Sequence, residues 1–291
     1  MKPLDVLLIV LVTVIWGMNF VVSKLGVAEL PPIFLITLRF LLVALILVPF
    51  VRIPWGRLKA LALLAVTLGT VHFSLMFSAL VAVDASVAAI AIQSQVPFAA
   101  LLSAILFKDP PGWRRILGMV VAIGGVALLA GAPTGSSELW AIGMIVLAAM
   151  VWSVANVQMM RLSGLGSFTI NAWMAVFAVP MQLATSLALE DGHWQAIATL
   201  SWVAVGVLVY QAVAVVIIGY GLWYFMLNRY GVNQMMAFTL LVPVFGVMAG
   251  VFLLGEPFSV SLAAGAALTI TGVGIIVLRR PRLAERPGSG A

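Results

Sequence analysis

The sequence predicts an all-α integral membrane protein with ten transmembrane helices arranged as two inverted five-helix repeats. Three observations lead there. First, 64% of the 291 residues are hydrophobic and 8% are charged, whereas a soluble domain carries roughly 25% charged residues. A soluble core cannot absorb that much apolar surface, but a bilayer can. Second, the chain holds ten apolar runs, each close to the ~20 residues that cross the hydrocarbon layer. Third, its punctuation recurs. Asp109-Pro110 precedes Gly118 and Gly125, Glu256-Pro257 precedes Gly265 and Gly272, and each pair is 147 positions apart. Five crossings per copy is an odd number, so the second copy must enter the bilayer upside down.

The runs cover roughly 4–23, 33–51, 58–79, 85–107, 113–131, 138–160, 167–189, 201–227, 232–254 and 260–278. The repeats then occupy 1–135 and 136–280, leaving a polar tail, 281–291. Most connections have 4 to 11 residues, too few for a catalytic domain outside the membrane. The first run is interrupted by Trp16-Gly17-Met18-Asn19 with no small-residue cleavage site after it, so it reads as a retained helix and not a signal peptide. Cysteine is absent, which excludes disulfides and thiolate metal sites.

Charge sets the expected orientation. With the N-terminus inside, thirteen of the fifteen basic residues fall in cytoplasmic segments, the exceptions being Lys24 and Arg39. Glu29, Asp84, Glu138, Glu190, Asp191 and Glu256 fall outside. This is the positive-inside asymmetry, and it places both termini in the cytoplasm. It also accounts for the pI near 10.2 without nucleic acid as a partner.

Polar groups in hydrocarbon are expensive and mark functional candidates, although Ser, Thr, Asn and Gln also serve as contacts between helices. Trp16 with Asn19 in the first run and Trp152 with Asn156 in the sixth bracket a central cavity from two sides, or tie those helices together. Gln93 and Gln95 precede Pro97, whose missing N–H frees a carbonyl in mid-membrane, where polar backbone is tolerated only inside protein or beside a wet cavity. The matching stretch, Thr239 to Pro243, is more apolar. Both prolines are hinge candidates, and plain kinked packing is the competing reading. His72 is the one histidine in a run, and no Asp or Glu lies deep in any, which weakens a carboxylate-based proton antiport. Arg39 lies about 10 Å below the outer surface at the helical rise. With Lys24 and Asp84 it forms an expected gate or charge pair, or its partner is a substrate carboxylate. Phe77, Tyr220 and Trp223 offer an aromatic wall, or ordinary packing.

Matched broken helices in inverted repeats are a mark of secondary transporters, whose substrate site lies near the midplane. Trp16 to Lys24, Pro31-Pro32, Leu38-Arg39-Phe40, Gly219 to Trp223, Arg229-Tyr230, Leu240 to Val244 and Glu256 together resemble the drug/metabolite transporter superfamily, in its ten-helix EamA branch. The resemblance covers both halves. It implies two EamA repeats in a bacterial inner membrane and export of amino acids and related small metabolites. The likeness is to the cysteine/O-acetylserine exporter type, with aromatic amino-acid exporters more distant. Expected partners are a small-molecule substrate and the lipid bilayer, with no cofactor, metal or obligate protein partner and no enzymatic activity. Another cargo on the same fold (nucleobase, sugar or organic cation) is the alternative, and a cation is disfavoured because no deep carboxylate would replace its hydration.

Overall fold

The computed structural model describes residues 1–107, 111–131, 138–162, 164–230 and 232–278, and these are helical or in short connections, with no strand among them. Asp109 and Pro110, which punctuate the first repeat, and the tail 281–291 lie outside the described residues. Among the described residues ten helices are long and apolar enough to cross a membrane: α1 (Pro3–Glu29), α2 (Pro32–Phe50), α3 (Trp55–Leu80), α4 (Ala85–Leu106), α5 (Trp113–Ala130), α6 (Leu139–Met160), α7 (Ser167–Leu189), α8 (Trp202–Tyr230), α9 (Gln234–Leu254) and α10 (Val260–Val277). Their starts are written locally. Proline sits in the first turns of α1 and α2, where its missing N–H costs nothing. Ser201 and Ser259 cap α8 and α10 by accepting from Ala204 N and Leu262 N. The 7–8 connection adds a short helix, His193–Ala198, that the sequence reading did not anticipate.

At most half of any span is buried, and the remaining apolar surface faces outward, as helices in lipid do. Tryptophans mark the two rims. Trp55, Trp113, Trp140, Trp194 and Trp202 are more than half exposed, all at or near helix starts, where their amphipathic rings suit the headgroup level.

The inversion is visible where α5 meets α10. A methyl group on Gly118 would sit 2.8 Å from the carbonyl of Gly272, and one on Gly125 would sit 2.7 Å from that of Gly265. These two contacts are copies of one another, since 118 corresponds to 265 and 125 to 272. Between them Thr269 Oγ1 donates to the carbonyl of Ala122 at 3.4 Å, and these residues are themselves 147 apart. Residue i meets j while the copy of j meets the copy of i, which is the pattern of a two-fold contact. Only glycine permits the backbones to approach this closely.

The spans are not straight. The turn Ile92–Ser94 of α4 tightens to a 3₁₀ helix just before Pro97, and α9 breaks at Leu240 just before Pro243. Both interruptions fall where the prolines predict them. Two others were not predicted: α3 widens to a π-helix over Ala65–His72 and α8 over Tyr210–Tyr220, at corresponding places in the two copies. Widened turns release carbonyls, and neighbours take them up. Thr70 Oγ1 donates to Ala65 O at 3.1 Å, and Gln182 Nε2, fully buried on α7, donates to Gly69 O at 2.7 Å.

Charged side chains close one end of the bundle. Lys24 Nζ donates to the carbonyls of Leu80, Val81 and Val83 at 2.7, 3.3 and 2.8 Å, sealing the end of α3. Glu256 accepts from Ala85 N and Ser86 N at 2.6 and 2.8 Å, and Glu190 from Ile33 N and Phe34 N at 2.7 and 3.0 Å. Each carboxylate thus caps the N-terminus of a helix in the first half from the second half, where the helix dipole favours negative charge. At the opposite end Asp5 pairs with Arg229 at 3.6 Å and accepts from the Tyr230 hydroxyl.

Candidate functional site

Two aromatic clusters meet in the middle of the bundle. In the first, Trp16 of α1 packs against Tyr220 and Trp223 of α8, with ring centroids 5.4 and 5.2 Å apart. Its indole N–H points to the Val215 carbonyl at 3.5 Å, inside the π-helical stretch. In the second, Trp152 of α6 packs against His72 of α3 at 4.8 Å, and His72 against Phe73 at 4.9 Å. His72 Nδ1 lies 2.8 Å from the Ala148 carbonyl. The clusters are copies of one another: Trp152 follows Trp16 by 136 positions, and Tyr220 follows Phe73 by 147. The added connection with helix His193–Ala198 lies between the two stretches and accounts for the change of offset.

Arg39 joins the second cluster. Its guanidinium carbon lies 4.8 Å from the Phe73 ring centroid and 5.7 Å from that of Phe40. Beside it is a small cavity of about 20 Å³, lined among others by Arg39, Phe73, Trp152, Asn171 and Tyr220. That is room for about one water. Tyr220 therefore belongs both to the Trp16 cluster and to the cavity wall, and the two clusters border one central space.

The structure brings together the expected site residues Trp152 with His72, and Trp16 with Tyr220 and Trp223. Phe77 packs behind Phe73 at 6.2 Å and is 2% exposed. The gate residues separate. Lys24 and Asp84 attract each other electrostatically, as do Lys24 and Glu256, whereas Arg39 has no carboxylate within 4.0 Å among the described residues. Gln93 is buried in the 3₁₀ turn, and the Gln95 carbonyl accepts from Ser153 Oγ at 2.9 Å. Asn19 Oδ1 is buried with no hydrogen-bond partner among the described residues. Asn156 is half-buried, one turn beyond Trp152 on α6, and the Thr239 hydroxyl turns back to the Met236 carbonyl at 2.7 Å. The cavity wall also includes Phe40, Asn171 and Met174, which the sequence reading passed over. Asn171 and Gln182 were detectable as amides within the apolar run of α7.

Comparison with known proteins places this geometry. Residues 4–131 and 139–278 each match the EamA-like transporter family. The chain is 32% identical to a "probable amino-acid metabolite efflux pump" of Salmonella typhimurium strain LT2, covering 95% of this chain and 96% of that one. It is 30% identical to a protein of the same description from Escherichia coli K12, covering 99% and 100%. A solved structure shares the fold at a TM-score of 0.60 and 17% identity, covering 96% of this chain and 98% of that one. With ten apolar spans and two matched copies, the protein is a multi-pass membrane protein and belongs to the EamA-like transporter family.

Proposed function

We propose that the protein is a secondary transporter that exports amino acids and related small metabolites from the cytoplasm by alternating access. The moving halves are the repeats 1–135 and 136–280, and both termini face the cytoplasm of a bacterial inner membrane. The observation that carries the reading is the pair of repeat-related tryptophan clusters around one central cavity, each seated on a widened helical turn. Inverted copies can exchange conformations, so that the space opens to one side and then the other. The names of the relatives from Salmonella typhimurium and Escherichia coli support amino-acid metabolites as cargo. Among the described residues no carboxylate lines the cavity, which disfavours organic cations. Purified protein in liposomes loaded with the twenty amino acids tests the reading by mass spectrometry of the efflux. Selective loss of a subset relative to protein-free vesicles is expected. Retention of all twenty by folded protein removes amino acids as the cargo.

A further inference from the structure

Arg39 is the only buried arginine among the described residues, at 4% exposure. Among the described residues its Nε has no hydrogen-bond partner, and no carboxylate is within 4.0 Å of it. A guanidinium stays charged when buried, and removing it from water without a counter-charge is costly. Contacts with the Phe40 and Phe73 rings recover part of that cost. They leave unmet the Nε donor of a planar fork shaped for a carboxylate. Asp84, the counter-ion expected from sequence, sits at the end of the bundle at the start of α4, near Lys24.

We propose that Arg39 anchors the carboxylate of the transported metabolite, making this a carrier of small carboxylates whose ammonium groups rest against the aromatic wall. The proposal rests on the amino-acid reading above and deepens it. Trp152 and Tyr220 line the same cavity as Arg39, and aromatic faces attract an ammonium group without a second buried charge. Asn171, on the same wall, adds one donor and one acceptor. At about 20 Å³ the space beside the guanidinium is too small for an amino acid. A carboxylate of an amino acid reaches it only when the lining helices of the two halves, α2 and α3 on one side and α6, α7 and α8 on the other, move apart, so that binding is coupled to the opening of the halves.

The test uses full-length protein in liposomes loaded with an equimolar mixture of the twenty amino acids and their α-carboxamides. Wild-type protein is expected to release a subset of the acids at least about tenfold faster than the matching carboxamides, the scale of a lost charge-assisted pair. Arg39→Gln is expected to abolish that preference, and Arg39→Lys to keep part of it. Equal release of acids and carboxamides by wild-type protein overturns the proposal and leaves amino-acid transport standing. So does an unchanged preference in folded Arg39→Gln. Release of neither class by folded wild-type protein overturns the amino-acid reading and this proposal with it. The acid-to-carboxamide ratio of the wild type needs no variant, so a misfolded Arg39→Gln does not blunt the test.

Discussion

The two tryptophan clusters are the same structure written twice with different chemistry. Trp16 lies over Gly219, where a methyl group would come within 2.6 Å of the indole nitrogen. Trp152 lies beside His72, the residue 147 positions before Gly219, which carries an imidazole bonded to Ala148. The Trp16 cluster is aromatic and uncharged, whereas the Trp152 cluster has Arg39 against its Phe73 edge. The repeat thus supplies shape to both halves and charge to one. Under the proposed mechanism, such a carrier would move symmetrically while holding its substrate asymmetrically, with the carboxylate of the cargo toward Arg39 in the first half.

The comparison depends first on the two-fold contact between α5 and α10. Gly272→Leu would force a side chain into the backbone of Gly118 and Ala122. The expected cost exceeds ~3 kcal/mol, at the upper end for overpacking, and monodisperse protein should be lost in size-exclusion chromatography in detergent. A normal elution profile would show that the two halves do not meet as closely as described.

A smaller effect is expected from making the clusters alike. Gly219→His places the side chain of the His72 position in the second copy, against Trp16. About 1–3 kcal/mol of destabilisation follows from overpacking, read as a lower thermal midpoint in detergent. An unchanged midpoint would mean that Trp16 swings aside freely, and the cluster would then be loose packing and not a wall.

The finest distinction separates the tryptophans by role. Trp152 lines the Arg39 cavity and Trp16 touches it only through Tyr220. Trp152→Ala is therefore expected to cut amino-acid efflux by roughly tenfold, near the ~1–2 kcal/mol of a lost aromatic contact to an ammonium. Trp16→Ala should reduce it by only about two- to threefold. Equal losses in the two variants would move the binding space to the midpoint between the clusters.

Much of the architecture was legible because a bilayer imposes strict terms. Each crossing has to be long, apolar and internally hydrogen-bonded, so the ten runs could be read from composition alone. The two broken turns were legible through Pro97 and Pro243, because proline removes a specific donor. The π-helical stretches of α3 and α8 were not, since Val, Ile, Thr and Gly in those stretches are equally compatible with an ordinary helix. What holds them open is a partner on another element: Gln182 from α7 in one case, the Trp16 indole from α1 in the other.

The site divides along the same line. The sequence by itself determined that Trp16, His72, Arg39, Trp152 and Tyr220 are membrane-embedded polar or amphipathic groups, because their position within apolar runs needs no partner to be recognised. Only the tertiary structure decided which of them meet. Asp84 and Arg39 looked like natural partners by depth, but depth fixes one coordinate of three. Helix packing turned Lys24 toward the end of α3 and left Arg39 between two phenyl rings, and a contact across helices depends on rotation and crossing angle, neither of which is encoded by the spacing of residues along one run.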